Sequence, residues 1–227
     1  MSNVPAQIAR PRSLFHLFSF YGDVNRVKIL PHKTNVALVE FETATMACIA
    51  RNFLDQVSLV DHKLFVSFSK YGEIKLTHDQ FTEDFTGKEF QVLKRFCKDD
   101  LMSVNLKRIS KPTDCVHINN IPVGMSGNDI QKLISDAGVT PNDLVPVAKK
   151  KQKGDPQIGD VSRSMVFVQC SSTSDTLIIM ALVGGSLSSE KIPAGLRVSF
   201  TESNCIEERK KYSEDKNMKI VENHEAL

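Results

Sequence analysis

Apolar and polar residues alternate in two short segments that lie far apart in the chain. Residues 64–69 and residues 196–201 share the pattern Leu-x-Val-Ser-Phe followed by Ser or Thr. Alternation with a period of two is typical of a β-strand that buries one face. Because the same pattern occurs twice, it indicates an internal repeat whose copies each end on this strand.

The elements that precede each copy of this strand recur in the same order. Each copy has a helix that stops at a glycine, two strands joined by a hairpin loop, and a second helix that starts at Ser or Thr. The predicted elements are 13–20, Val24–Leu30, 36–41 and 43 or 45 to 54 in the first copy, and 128–136, 144–148, 165–170 and 172 or 173 to 183 in the second.

One further strand, residues 115–120, precedes the first helix of the second copy. The order β-α-β-β-α-β is the split βαβ plan, an α+β fold with both helices on one face of an antiparallel sheet. In the first copy, residues 1–4 match only the last part of that strand. A misassigned start codon, a natural short form and a module that tolerates a partial strand remain open as explanations.

The predicted domains are a first module at 1–70, a linker at 71–113, a second module at 114–202 and a polar tail at 203–227. The chain has 227 residues, of which 41% are hydrophobic and 25% charged, as in an ordinary globular protein. Its formal net charge of +2 excludes a uniformly basic surface but allows a local basic face. No apolar run is long enough to cross a membrane. The five scattered cysteines predict neither zinc nor disulfides.

The strand before the second helix of each copy resembles the octapeptide of RNA-recognition motifs, which lies at residues 34–41 and 163–170. The core-facing half of the octapeptide is intact. The open half departs from it, since Val36, Leu38 and Met165 stand where aromatic residues usually stack on bases. The partner strand of the second copy places His117 at the usual aromatic position.

A closer resemblance covers nearly all of residues 1–202. Residues 13–30 and 35–40 look like the third RNA-recognition motif of polypyrimidine tract-binding proteins, and residues 117–122 look like the opening of their fourth motif. Residues 137–139 are also similar to heterogeneous nuclear ribonucleoprotein L. The resemblance implies that open sheets with few aromatics hold short pyrimidine-rich or CA-rich single strands. It also implies a nuclear protein, possible shuttling to the cytoplasm, and a role in pre-mRNA splicing or in mRNA stability or processing.

The candidate RNA-binding residues are those that the alternation places on the open sheet faces, in the loops beside them and on the fourth strand. Cations among them can bind phosphates, flat or apolar side chains can support bases, and Ser, Asn and Gln can bind base edges. They are Arg26, Lys28, Leu30, Val36, Leu38, Phe65, Ser67, Lys70, His117, Asn119, Lys149, Lys150, Arg163, Met165, Phe167, Gln169, Arg197 and Ser199.

Surplus apolar residues predict that the two modules pack together through their helices. Residues 177–183 are apolar on every side of a predicted helix, whereas a helix on one sheet needs a single apolar stripe. The linker holds four of the chain's 13 phenylalanines. A homodimer or another protein could cover the same surfaces. The candidate packing residues are Phe15, Phe20, Phe53, Ile178, Ile179 and Leu182.

Two other classes of function remain as alternatives. RNA-recognition-like domains can act as protein–protein adaptors through their helical faces. An enzyme on the same plan would need a phosphate loop, a Ser-His-Asp set or a metal cluster, and the sequence predicts none of these. We expect a monomer that needs no cofactor or metal and binds single-stranded RNA, with other RNA-processing proteins as further candidate partners.

Overall fold

The computed structural model describes residues 1–77, 79–96, 106–122, 124–148, 164–188, 195–202 and 206–207. The first module contains α1 Pro11–Phe18, β1 Val24–Leu30, β2 Lys33–Phe41, α2 Ala44–Leu54 and the short hairpin strands β3 Ser58–Leu59 and β4 His62–Lys63. Proline at the first position suits the start of α1, where its missing N–H is not needed. The Thr43 side chain accepts the Met46 N–H and so caps α2.

The partial first strand lies at the centre of the first sheet. Ser2 forms antiparallel bridges to Val36 on one side and to Phe65 on the other. The predicted fourth strand at 64–69 is reduced to the bridge at Phe65. Residues 66–69 are not assigned to a strand, although the sequence predicts one there.

Strand β5, Thr82–Asp84, adds to the free edge of β1 and comes from the segment predicted as a linker. It runs antiparallel to β1 and pairs Asp84 with Arg26 and Thr82 with Lys28. An unpaired edge strand is a site for unwanted association, and β5 covers it. The sheet of the first module thus extends past the predicted boundary at residue 70.

The second module has a complete four-stranded sheet. Its elements are β6 Cys115–Asn119, α3 Gly127–Asp136, β7 Asp143–Ala148, β8 Ser164–Gln169, α4 Thr173–Leu182 and β9 Arg197–Phe200. The strand order β7-β8-β6-β9 places β6 between β8 and β9. Ser126 and Asp129 form a reciprocal capping box at α3, and the Ser172 side chain accepts the Asp175 N–H at α4.

The helical sides of the two modules meet, and their buried side chains form a single core. Helix α1 packs on α4, and the ring of Phe20 meets that of Phe200 edge-on with centroids 5.2 Å apart. At the margin of the contact the Val60 N–H donates to the Ser174 hydroxyl at 2.6 Å. Both sheets therefore turn their other faces outward.

The connecting segment packs against this core through its phenylalanines. Phe85 is buried and stacks on Phe15, with ring centroids 4.1 Å apart. Phe90 meets Phe85 edge-on at 5.2 Å. Phe96 is buried as well. Burying an aromatic side chain contributes about 1.5–3 kcal/mol, so these contacts favour a docked connection.

Residues 92–96 are held by both modules. The buried Asp23 carboxylate of the first module accepts the backbone N–H groups of Arg95 and Phe96 at 2.6 and 3.0 Å. From the second module, the Arg197 guanidinium donates to the Val92 carbonyl at 2.8 Å. The segment is therefore a structural bridge between the modules.

We expect Gly185→Ala to weaken the contact between modules. Gly185 follows α4 at φ +72°, and a Cβ there would overlap the His16 ring on α1. The left-handed backbone and the overlap together predict a loss of about 1–3 kcal/mol in unfolding free energy, measured by urea denaturation. Gly72→Ala is the matched control, because a Cβ at Gly72 meets nothing within 4 Å. Equal stability of both variants would contradict the close approach.

Acid should weaken the same contact through His16. Burial, followed by the charges of Arg12 and Arg95, lowers the pKa of His16 from 6.5 to about 4. As pH falls, the unfolded chain therefore binds a proton at His16 before the folded chain does. The contribution of neutral His16 to stability is fully present above pH 6.5 and is lost as pH falls towards 4. As pH falls from 6.5 to 4, the unfolding free energy of His16→Gln should rise by up to about 3 kcal/mol relative to that of the unsubstituted chain. Denaturation experiments at several pH values measure this difference. Parallel stability curves for the two proteins would show that His16 does not titrate in this way.

Candidate nucleic-acid interface

The open face of the first sheet carries the predicted cations. Val27 and Ile29 of β1 are buried towards the helices, so Arg26 and Lys28 lie on the opposite side. On that face Arg26 pairs with Glu40 and Asp84 on the neighbouring strands. Lys28 pairs with Leu38 and Thr82 in the same way.

Arg26 lies among three carboxylates. Its guanidinium is 2.5 Å from Glu73, 3.6 Å from Glu40 and 3.8 Å from Asp84. The hydrogen bond that Arg26 donates to Glu73, opposed by burial and helped by the other two carboxylates, raises the pKa of Arg26. The local charge is therefore balanced by acidic groups, and a phosphate would have to displace one of them.

Lys28 is also bonded within the molecule. Its ammonium group donates to the Thr77 hydroxyl at 3.2 Å and to the Lys75 carbonyl at 3.4 Å. The Ile74 N–H donates to Glu40 at 2.6 Å. Residues 73–77 thus reach the side chains of the open face and satisfy the groups that the alternation assigned to RNA.

The remaining predicted residues of the first module lie around the partial strand. Leu30, Val36 and Leu38 are half-buried, whereas Ser67 and Lys70 are exposed. Phe65 is 47% exposed. The sequence analysis did not single out Phe68 and Tyr71, which are exposed nearby. Phe68 lies under the Arg51 guanidinium at 5.1 Å.

A cavity of 430 Å³ opens between β2 and residues 66–69. Its lining includes Leu38 and Glu40 on one side and Ser67 and Phe68 on the other.

His117 lies on β6, the strand between β8 and β9, on the open face of the second sheet. This residue pairs with Phe167 on β8 and with Ser199 on β9, and the His117 and Phe167 rings are 5.8 Å apart. Asn119 pairs with Arg197 along the same edge. Met165 and Gln169 are half-buried on β8.

Phe167 is not an open base platform in this structure. It is only 3% exposed and packs with Cys115 and Ile206. Ile206 comes from the segment after β9, which the sequence predicts to be a polar tail. An isolated isoleucine in a charged segment gives little sequence signal. In the described residues this contact covers the Phe167 ring, and an RNA-binding role for Phe167 stays a prediction.

A cleft of 880 Å³ lies over the β6–β9 side of this sheet. Its floor includes His117, Asn119 and Ser199, and connecting-segment residues from 92–96 and 107–110 form its walls. Among the described lining residues five are basic and one is acidic. These charged residues are Lys94, Arg95, Lys107, Arg108, Arg197 and Glu202.

The guanidinium groups of Arg95 and Arg197 both line the cleft. Burial, followed by the charge of Arg197 and opposed by Asp23, lowers the pKa of Arg95 to about 10. Burial also lowers the pKa of Arg197. The Arg95 guanidinium contacts the Ser199 hydroxyl at 3.5 Å. Positive charge is thus concentrated beside the polar floor, and the sequence prediction included Arg197 but not its partner from the connecting segment.

The predicted packing residues lie at or near the module contact. Phe15, Phe20, Ile178 and Ile179 are buried and Leu182 is half-buried. Phe53 stacks on Tyr21 within the first module at 5.6 Å.

Three predicted basic residues, Lys149, Lys150 and Arg163, lie outside the described residues. In the part of the chain that is described, no three His, Cys, Asp or Glu side chains are grouped to hold a metal ion. Within the same ranges no helix has the length and apolar character needed to cross a membrane.

Two split βαβ sheets with this element order are the fold of tandem RNA-recognition motifs. Residues 1–92 match the family model described as the RNA recognition motif, also called the RRM, RBD or RNP domain. Residues 1–92 therefore have the RNA-recognition-motif fold. It is 25% identical over 206 residues to polypyrimidine tract-binding protein homolog 3 of Arabidopsis thaliana, an alignment that covers 91% of this chain. The matched region is 43% of that relative's length.

Solved structures of multi-domain RNA-binding proteins are also similar. The N-terminal three RNA-binding domains of the yeast splicing factor Prp24 match 89% of this chain and 63% of that chain, with 13% identity and a TM-score of 0.30. RNA recognition domains 1 and 2 of Sex-lethal from Drosophila melanogaster match 88% of this chain and 96% of that chain, with 13% identity and a TM-score of 0.27.

Arg26→Gln should destabilise the first module. It leaves Glu40 and Asp84, both partly buried, without the cation that neutralises them. We expect a loss of about 1–2 kcal/mol in urea denaturation, less than for a fully buried pair. Arg12→Gln is the control because Arg12, bonded to Glu83, has a side chain 63% exposed and should cost at most about 0.5 kcal/mol. If Arg26→Gln has the same free energy of unfolding as the unsubstituted protein, the three carboxylates do not depend on Arg26.

Proposed function

We propose that this protein binds single-stranded RNA, as polypyrimidine tract-binding proteins do, and that the second module is its stronger binding surface. The observation that carries the proposal is the 880 Å³ cleft, which combines a polar sheet floor with basic walls. The first sheet offers a weaker surface, because its Arg26 and Lys28 are bonded within the molecule.

The chemistry of the cleft suits a single strand better than a duplex. His117 gives a flat platform for a base, and Asn119 and Ser199 can bind base edges that pairing would hide. With Phe167 covered, stacking is limited. Phosphate contacts should then contribute much of the affinity, which should be moderate and should fall with salt.

The biological role follows from the resemblance. Pyrimidine-rich RNA is proposed as the ligand because the Arabidopsis relative is a polypyrimidine tract-binding protein homolog. A part in pre-mRNA splicing or in mRNA stability and processing, and a nuclear location with shuttling to the cytoplasm, are proposed from the family resemblance of residues 1–202. Other RNA-processing proteins are proposed as further partners of a monomer without catalytic activity. The adaptor alternative gains no support from α1 and α4, because these helices pack on each other.

Fluorescence anisotropy with a labelled pyrimidine-rich strand, free and in a duplex, tests this function. We expect clear preference for the free strand. His117→Ala should weaken binding by about 1–3 kcal/mol if a base stacks there. Lys132→Ala, an exposed substitution on α3, is the control and should bind normally. Equal affinity for both forms of the RNA, or no binding at low salt, would refute the proposal.

A further inference from the structure

We propose that the connecting segment supplies part of the phosphate-binding surface, through Lys107 and Arg108 beside Arg95. This inference rests on the proposed RNA binding and adds residues that lie on neither sheet. The RNA backbone would pass between the sheet floor at Ser199 and the wall that these cations form.

The basic residues of the wall differ in availability. Lys94 is bonded to the Glu42 carboxylate at 2.8 Å and to the Asn25 side chain at 3.1 Å. The hydrogen bond from Lys94, opposed by burial of the carboxylate, lowers the pKa of Glu42. This pair holds the wall to the first module, so Lys94 acts as an anchor and not as a free phosphate ligand.

Lys107 and Arg108 are the accessible cations. Both are exposed and line the cleft. In the described ranges no carboxylate oxygen lies within 4 Å of either charged group. Their charge can therefore act on a bound polyanion.

Arg95 and Arg197 add fixed positive charge deeper in the same cleft. Arg197 is held by the Val92 carbonyl, and Arg95 touches Ser199 on the floor. The charge of Arg197 adds positive potential at Arg95, so a phosphate bound in this part of the cleft would be attracted to both guanidinium groups. Glu202 is the acidic residue among the described lining and lies at the β9 end.

The position of the wall depends on the first module. Asp23 accepts two backbone N–H groups from residues 95 and 96, which fixes the part of the wall that contains Arg95 where it faces the second sheet. The binding surface of the second module is thus completed by a segment anchored on the first. A fragment holding the second sheet alone would lack these cations.

The salt dependence of RNA binding tests the inference directly. Lys107→Ala with Arg108→Ala removes two exposed charges without disturbing buried contacts. Lys111→Ala with Lys132→Ala removes the same charge from exposed positions that do not line the cleft. Anisotropy titrations of the full chain with a pyrimidine-rich strand at 50 to 200 mM salt would compare both variants with the unsubstituted protein.

If two phosphate contacts are lost, the slope of log K against log salt should decrease in magnitude by about 1.4. The affinity of the cleft variant should then fall about sevenfold less over this salt range than that of the unsubstituted protein. The control variant should keep the original slope. Identical slopes for the two variants would overturn the inference while leaving RNA binding intact. No binding by the unsubstituted protein would remove the proposed function and the inference together.

Discussion

Burial of α4 on two sides is the constraint on which the rest of the structure depends. Successive residues Leu177, Ile178, Ile179 and Met180 are all buried. A single sheet can cover only one face of a helix, so the opposite face must find a second apolar partner. Helix α1 provides it, and the two modules share one core as a result. A polar residue on the side of α4 that packs against α1 would remove the apolar contact that holds the two modules together.

The shared core also determines the path of the connection. The segment that links the two packed modules runs along the contact between them. There Phe85 and Phe96 are buried, and the Asp23 carboxylate accepts the backbone N–H of Arg95. That path brings β5 to the edge of the first sheet and residues 92–96 to the edge of the second. The same contacts therefore shape both surfaces. They neutralise cations on the first sheet and add cations beside the second.

The sequence predicts most of the regular elements because alternation, capping residues and glycine stops are local signals. It also predicts α4 as a helix covered on two sides, since its apolar residues leave no polar face. The ion pairs of Arg26 involve Glu73 and Asp84, which approach only when the later segment folds over the sheet. Such contacts depend on tertiary placement and carry no local pattern.

The candidate site also combines residues that local sequence patterns predict with residues that only tertiary contacts bring together. Alternation placed His117 and Ser199 on the open face, where they are paired. It could not reveal Ile206 over Phe167, or Arg95 beside Arg197, because these pairs are distant in sequence and join segments without periodic patterns. Charge alone did not mark residues 107 and 108 either, since a short basic stretch in a connection is usually solvated.

Backbone NMR relaxation on the full chain tests the shared core most directly. If α1 and α4 remain packed in solution, amides of both sheets should report one rotational correlation time, as expected for a single body of 227 residues. Two distinct and shorter times in a monomeric sample would show independent modules. That result would contradict both the shared core and a cleft completed by the first module.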